Sequence, residues 1–119
     1  MGLEQDFTSD TMARKKVALL MTVGTGIGAD KEKARAGLAN AMLRSIISRN
    51  PDIVKFFGSK ESKYTVETLK DLYQTTFDED LDFYEFIQID DIDSFNKYFT
   101  TIKSYVNDLE EEYYIYLMV

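Results

Sequence analysis

The sequence predicts an α/β domain in which short apolar strands alternate with amphipathic helices around a mostly parallel sheet. Three observations lead to this prediction. The apolar run Val17–Met21 is continuous and stops at a turn with three glycines, which is typical of a strand buried on both faces. Helical and strand patterns then alternate along the rest of the chain. The composition, 45% hydrophobic and 29% charged, is that of an ordinary globular protein.

The first helix is predicted over residues 30–50. Its apolar positions recur at the spacing of a buried helical stripe, namely Ala34, Leu38, Ala41, Met42 and Ile46. Asp30 can cap the helix N-terminus, because its side-chain oxygen can accept from an unpaired backbone amide. Pro51 ends the helix, since proline disfavours helical geometry at the residue before it.

The remaining elements follow in the same alternation. Strands are predicted over 53–57, 83–89 and 113–119, and the strand at 83–89 is expected to be less buried because its apolar residues alternate with polar ones. Helices are predicted over 64–77 and 93–112. The inward positions of the helix at 64–77 are Val66, Leu69, Leu72 and Tyr73. Those of the helix at 93–112 are Phe95, Phe99, Ile102, Val106 and Leu109.

The order βαβαβαβ predicts a three-layer Rossmann-like domain over residues 14–119, with about four strands and helices on both faces of the sheet. Residues 1–13 are expected to form a flexible arm. The sequence stops inside the fourth predicted strand, which would otherwise be buried, so we expect a domain that is incomplete at its C-terminus. The other interpretation is a small native domain whose last strand is a sheet edge.

Composition excludes several kinds of chemistry. Without cysteine or histidine, the chain has no disulfide, no thiolate zinc site and no histidine general base. We assign no catalytic residue, metal ligand or cofactor, and we expect the acidic stretch 78–82 to be a solvated loop. No apolar run is long enough to span a bilayer and no secretory signal is present, so the expected compartment is the cytoplasm.

Charge is divided unevenly along the chain. Its formal value is −7 overall, with a net +4 over residues 1–63 and −11 over residues 64–119. This balance argues against binding to long nucleic acid, which needs a basic face. It leaves open a small anionic ligand at the basic half. Arg35 and Arg44 lie on the first predicted helix, and the sequence does not fix whether either faces such a ligand.

The glycine-rich turn is the candidate ligand-binding loop. Its assigned residues are Thr22, Val23, Gly24, Thr25, Gly26 and Gly28. Glycine lets a ligand approach the backbone closely, and the start of the following helix favours phosphate. The spacing matches neither the dinucleotide fingerprint nor the Walker A loop, so a tight strand-to-helix turn without a ligand remains the alternative.

The segments around this loop resemble a known family. Val17-Ala-Leu-Leu-Met-Thr-Val-Gly-Thr-Gly-Ile-Gly28 is similar to the first strand and loop of CRISPR-associated Rossmann-fold (CARF) domains. Asn50-Pro51-Asp52 and the following Phe56-Phe57-Gly58-Ser59-Lys60-Glu61-Ser62 resemble their second strand and its end. CARF domains are the sensors of effectors in type III CRISPR systems.

The resemblance implies a homodimer that binds a cyclic oligoadenylate across its two-fold axis. Thr22, Gly24, Thr25 and Gly26 would line the phosphate ring, and Gly58 and Ser59 would lie near adenine. The family's second loop motif, after the fourth strand, and its ribonuclease domain are absent from this sequence. The expected function is therefore sensing, to regulate an effector domain not present in this chain. The alternatives are a ring nuclease using Thr22, Thr25 or Lys31, and a generic nucleotide-binding α/β fragment.

Overall fold

The computed structural model describes residues 15–26, 30–89 and 95–118, with Phe95 described by its backbone alone. Within these ranges four strands alternate with three helices, in the predicted order. The strands are β1 (Lys16–Thr22), β2 (Ile53–Gly58), β3 (Tyr84–Gln88) and β4 (Tyr113–Met118), and the helices are α1 (Lys31–Arg49), α2 (Ser62–Phe77) and α3 (Phe95–Leu109). The predicted arm over 1–13 lies outside the described residues.

The strands form one parallel sheet in the order β3-β2-β1-β4. Leu19 of β1 pairs with Val54 of β2 on one side and with Tyr116 of β4 on the other. β2 and β3 therefore lie on one side of β1, and β4 lies on its other side. The strand order reverses between β1 and β4, and this topology confirms the predicted Rossmann-like α/β fold class.

Two hydrophobic cores lie on opposite faces of the sheet. Leu19 and Met21 of β1 pack with α1 and α2 on one face, whereas Ala18 and Leu20 pack with α3 on the other. All four side chains are almost fully buried. The continuous apolar run in β1 thus reflects burial on both faces, and the prediction of helices on both faces is confirmed.

The buried stripe of α1 is rotated from the predicted one. The helix buries Ala39, Met42, Leu43 and Ile46. Ala34 and Leu38 are only partly buried because they line a cleft beside the glycine-rich loop. Ala41, predicted to face inward, continues the line of Ala34 and Leu38 and is exposed. The predicted N-cap is confirmed, since the Lys33 amide donates to Asp30 Oδ1 at 3.0 Å.

Three of the predicted inward positions of α3 are confirmed, because Ile102, Val106 and Leu109 pack in the core on its face of the sheet. One position differs from the prediction. Phe99 was expected to face inward, yet 55% of its surface is exposed. The helix is turned so that Tyr98 and Tyr105 face the sheet. The Tyr98 hydroxyl donates to the Phe57 carbonyl oxygen at 2.9 Å, and the Tyr105 ring packs edge-on against the Phe57 ring at 5.3 Å. These contacts with β2 set the rotation of α3, which its apolar spacing alone did not fix.

The outer strands are less buried than β1 and β2. In β3 no side chain is fully buried, as its alternating pattern predicts. β4 was expected to be buried if central, but it is an edge strand of the described sheet, and Tyr114 is 56% exposed. In the acidic stretch 78–82 the carboxylates are exposed, whereas Leu81 is buried in the core.

Two further kinds of feature, a membrane-spanning helix and a cluster of metal ligands, are absent from the described residues. None of the helices there is both long and apolar enough to cross a membrane. The same ranges contain no group of three or more His, Cys, Asp or Glu residues placed to hold a metal ion.

Candidate functional site

The loop after β1 and the end of β2 lie side by side at the carboxyl edge of the sheet. The Val23 amide donates to the Phe57 carbonyl oxygen at 2.9 Å, which extends the pairing of the two strands into the loop. The predicted site residues at 22–26 and 58–59 are therefore neighbours in the fold. Gly28, assigned to the same loop, lies outside the described residues.

Two buried hydroxyl groups from the first turn of α2 hold this loop. Ser62 Oγ donates to the Val23 carbonyl oxygen and Thr65 Oγ1 donates to the Gly24 carbonyl oxygen, each at 2.8 Å. The Ser59 amide in turn donates to Ser62 Oγ at 3.1 Å. These bonds satisfy backbone carbonyl groups that the strand ladder leaves unpaired. The backbone at Val23 and Gly24 is therefore held by residues of the next βα unit.

Sequence reasoning did not assign Ser62 or Thr65 to the site. Ser62 appeared only within the segment that resembles the CARF family, and Thr65 was not singled out. The available signal was their spacing of three residues, which places both hydroxyls on one side of the first turn of α2. That signal does not name the acceptors, because Val23 and Gly24 are 39 and 41 residues away in the chain.

Two glycines of the site are required by the local geometry. Gly26 has a φ of +85°, and a Cβ there would lie 3.2 Å from the Lys31 carbonyl oxygen and 3.3 Å from Ala34 Cβ. At Gly58 a Cβ would lie only 2.6 Å from Ser62 Cβ. Gly26 thus permits the turn, and Gly58 permits the close approach of β2 to α2.

The assigned loop residues differ in what they present to solvent. Gly24 is exposed, and Thr22 and Thr25 are partly exposed. Gly26 is buried, and the Val23 side chain is 94% buried in the core that contains α1 and α2. Of the assigned loop residues that the structure describes, Gly24 and the two threonines therefore present surface to solvent, while Val23 and Gly26 shape the turn.

The end of β2 is supported from the opposite face as well. The Phe57 carbonyl oxygen that accepts from Val23 also accepts the Tyr98 hydroxyl of α3. Burial raises the pKa of Tyr98, because a phenolate would be poorly solvated there. The Ile89 amide after β3 donates to the Gly58 carbonyl oxygen at 2.8 Å. The ends of β1, β2 and β3 are thus connected by hydrogen bonds.

An open cleft of about 570 Å³ runs from the loop along α1. It is lined mainly by apolar and small residues, namely Gly24, Thr25, Gly26, Ala34, Gly37 and Leu38. A Cβ built on Gly37 would meet no atom of another element within 4 Å among the described residues, so this helical glycine leaves open space rather than making a close contact. The cleft gives an apolar group next to the loop a surface to pack on.

Cationic groups lie at the start of α1, close to the loop. Lys31 and Lys33 are exposed in its first turn. Arg35 is partly buried, and its guanidinium carbon lies 5.1 Å from the centre of the Tyr64 ring. The helix N-terminus itself is partly satisfied, because the Lys33 amide is bonded to Asp30. Attraction of an anion therefore depends on these side chains as well as on backbone amides.

Comparisons with known proteins found no relative: no family model matches the chain, no curated protein matches it and no solved structure matches it.

Proposed function

We propose that this chain is a CARF-type sensor domain that binds a cyclic oligoadenylate and regulates an effector domain outside this chain. The observation that carries the proposal is the turn Gly24–Gly26 at the carboxyl end of β1, beside the reversal of strand order between β1 and β4. Ligands of open parallel sheets bind at such a position. The CARF-like residues in and around the turn supply the identity of the ligand.

Three features of the site support an anionic ligand. Exposed Gly24 and partly exposed Thr25 offer backbone and hydroxyl groups at the loop surface. Lys31 and Arg35 bring positive charge to the adjoining turns of α1. The link from Thr65 to the Gly24 carbonyl oxygen holds the loop in one conformation before a ligand arrives, which lowers the entropic cost of binding.

The proposal includes a homodimer. A cyclic oligoadenylate with an even number of nucleotides can share a two-fold axis with a dimer, so that each copy contributes the same loop. The charge of the N-terminal half, +4 over residues 1–63, favours a ligand that carries several phosphates.

The test is to titrate the purified chain with cyclic tetra-adenylate and cyclic hexa-adenylate, with linear oligoadenylates of the same lengths as controls. We expect one cyclic ligand to raise the thermal transition and to shift the molecular mass measured by light scattering to that of a dimer. Chromatography of the ligand after incubation should recover it intact. Linear product would instead indicate a ring nuclease, and the absence of any shift with both rings would refute the CARF assignment.

A matched pair of variants locates the binding. Thr25→Val replaces the loop hydroxyl with a methyl group and should weaken cyclic-ligand binding. Thr101→Val makes the same change on α3, where the hydroxyl donates to the Lys97 carbonyl oxygen, and should bind as the wild type does. Equal affinities of the two variants would place the ligand away from this loop.

A further inference from the structure

Arg35 lies between the glycine-rich loop and α2. It is in the second turn of α1, and a Cβ on Gly26 would come within 3.3 Å of Arg35 Cγ. Because α1 and α2 both begin at the carboxyl edge of the sheet, an arginine early in α1 faces the same edge as the loop. The Arg35 side chain thus leaves α1 beside the turn Gly24–Gly26, which the proposed ligand would contact.

The Tyr64 ring holds the guanidinium in place. Tyr64 is in the first turn of α2 and is 58% exposed, and its ring centre lies 5.1 Å from the guanidinium carbon. An arginine stacked on an aromatic face keeps its charge and its planar donors, and it loses less freedom when it binds a ligand. The stack is open to solvent on the tyrosine side.

Arg35 also has unused donor capacity. Its Nε is buried and has no hydrogen-bond partner among residues 15–26, 30–89 and 95–118. Within the same ranges Arg35 forms no ion pair. A guanidinium that only closed the gap between two helices would gain from an acceptor at Nε, since an unsatisfied buried donor is unfavourable. Within the described residues, the contacts of Arg35 with the loop and with α2 therefore leave this donor unpaired.

We infer that Arg35 is the cation that binds a phosphate group of the ligand, and that Tyr64 is a positioning residue that holds it beside the turn Gly24–Gly26. The planar guanidinium presents pairs of N–H donors that match two phosphate oxygens. The identity of the ligand rests on the proposed function, whereas the role of Arg35 applies to any phosphate-bearing molecule at this loop. None of the sequence motifs pointed to either residue.

The experiment measures affinity for cyclic tetra-adenylate, cyclic hexa-adenylate and inorganic pyrophosphate in wild type and five variants. Arg35→Gln should weaken phosphate binding by about tenfold to a hundredfold, the value of a hydrogen bond to a charged group, and should reduce its dependence on salt. Arg35→Lys keeps the charge but loses the planar pair of donors. Its affinity should therefore lie between that of the wild type and that of Arg35→Gln. Tyr64→Phe should bind as the wild type does, whereas Tyr64→Ala should weaken binding in part.

Arg44→Gln is the matched control, because Arg44 is exposed on the same helix and the change in charge is identical. A second readout is the Arg35 Nε–H signal in nitrogen-15 NMR, which should shift on addition of ligand. Circular dichroism checks that each variant is folded, and if Arg35→Gln is not, Arg35→Lys and the NMR signal still decide.

The outcomes separate the two proposals. If a cyclic ligand binds wild type and Arg35→Gln equally, and the Nε–H signal does not move, the inference about Arg35 is wrong while the sensor assignment stands. If neither cyclic ligand binds but pyrophosphate does, and if pyrophosphate binding depends on Arg35, the sensor assignment is wrong while the inference about Arg35 stands. Binding of none of the three probes overturns both.

Discussion

Ser62 Oγ donates a hydrogen bond of 2.8 Å to the carbonyl oxygen of Val23, across 39 residues of sequence. Both groups are buried. The bond joins the start of α2 to the glycine-rich loop after β1, so the two βα units share one edge structure. A displacement of α2 would therefore alter the loop directly, and loop stability can be measured through variants in α2.

Ser62→Ala should destabilise the fold. It leaves the Val23 carbonyl oxygen without its hydroxyl donor and removes the acceptor for the Ser59 amide. An unsatisfied buried polar group costs about 1–3 kcal/mol, and this is the decrease that we expect in the free energy of unfolding by urea. Ser104→Ala is the control, since Ser104 is exposed on α3 and its change should stay within about 0.5 kcal/mol. Equal effects of the two variants would mean that the bond from Ser62 contributes nothing to stability.

Gly58→Ala should destabilise through steric overlap. The added Cβ would lie 2.6 Å from Ser62 Cβ and 2.7 Å from Ser62 Oγ. Ser62 Cβ is attached directly to the helix backbone, so a rotamer change cannot relieve the contact and β2 must move from α2. Overpacking of this kind costs about 1–3 kcal/mol, which urea unfolding would detect.

Gly37→Ala makes the same chemical change in open space and should act in the opposite direction. In the described part of the chain no atom of another element lies within 4 Å of its added Cβ, and alanine in a helix interior is more stable than glycine by about 0.5–1 kcal/mol. If Gly58→Ala and Gly37→Ala were both more stable than the wild type, β2 would not approach α2 closely at Gly58.

Gly26→Ala should strain the loop itself. At its φ of +85° an alanine is unfavourable by about 1–3 kcal/mol, and its Cβ would also press on the Lys31 carbonyl oxygen at 3.2 Å. Gly24→Ala is the control in the same loop. Its Cβ would meet Leu38 Cδ1 at 3.3 Å, and this flexible side-chain end can move aside. Thermal unfolding should therefore show a larger loss for Gly26→Ala, and the reverse order would contradict the conformation of the turn.

The order of the elements could be predicted from the sequence because its signals are local. The apolar run Val17–Met21 and the cap at Asp30 each depend on a few neighbouring residues. The side of each helix that faces the sheet is harder to predict. Phe99 fits an ideal inward stripe of α3, yet the bond from Tyr98 to the Phe57 carbonyl oxygen turns the helix so that Phe99 is exposed. Tertiary contacts decide between stripes that differ by one residue.

Part of the candidate site could also be predicted from the sequence. Glycine spacing indicated the turn at 24–26, and the resemblance to CARF domains indicated Gly58 and Ser59. The support from Thr65 was missed, because its acceptor is 41 residues away. The sequence also left open whether Arg35 faces a ligand, since that depends on how α1 packs against α2 and on the ring of Tyr64.

The partly buried Tyr98 hydroxyl gives a prediction in the alkaline range. Burial raises its pKa above 10.0 in the folded protein, so between pH 10 and the raised value the folded state holds a proton that the unfolded state has lost. Stability from this group is therefore complete below about pH 10 and decreases as the pH rises through that window. Burial also raises the pKa of Tyr73 and Tyr105, which adds to the same decrease.

Tyr98→Phe isolates the contribution of Tyr98. At pH 8 it should lower the free energy of unfolding by about 0.5–1.5 kcal/mol, the net value of a hydrogen bond, because its donor to the Phe57 carbonyl oxygen is lost. At about pH 11 the difference in the free energy of unfolding should be smaller. In the wild type the Tyr98 phenol of the unfolded state is then ionised, which lowers the stability of the fold, whereas Tyr98→Phe has no such group. Tyr114→Phe removes an exposed hydroxyl and controls for the loss of a phenol as such. A difference for Tyr98→Phe that grows with pH would show that the folded state favours the phenolate, contrary to the burial of this group.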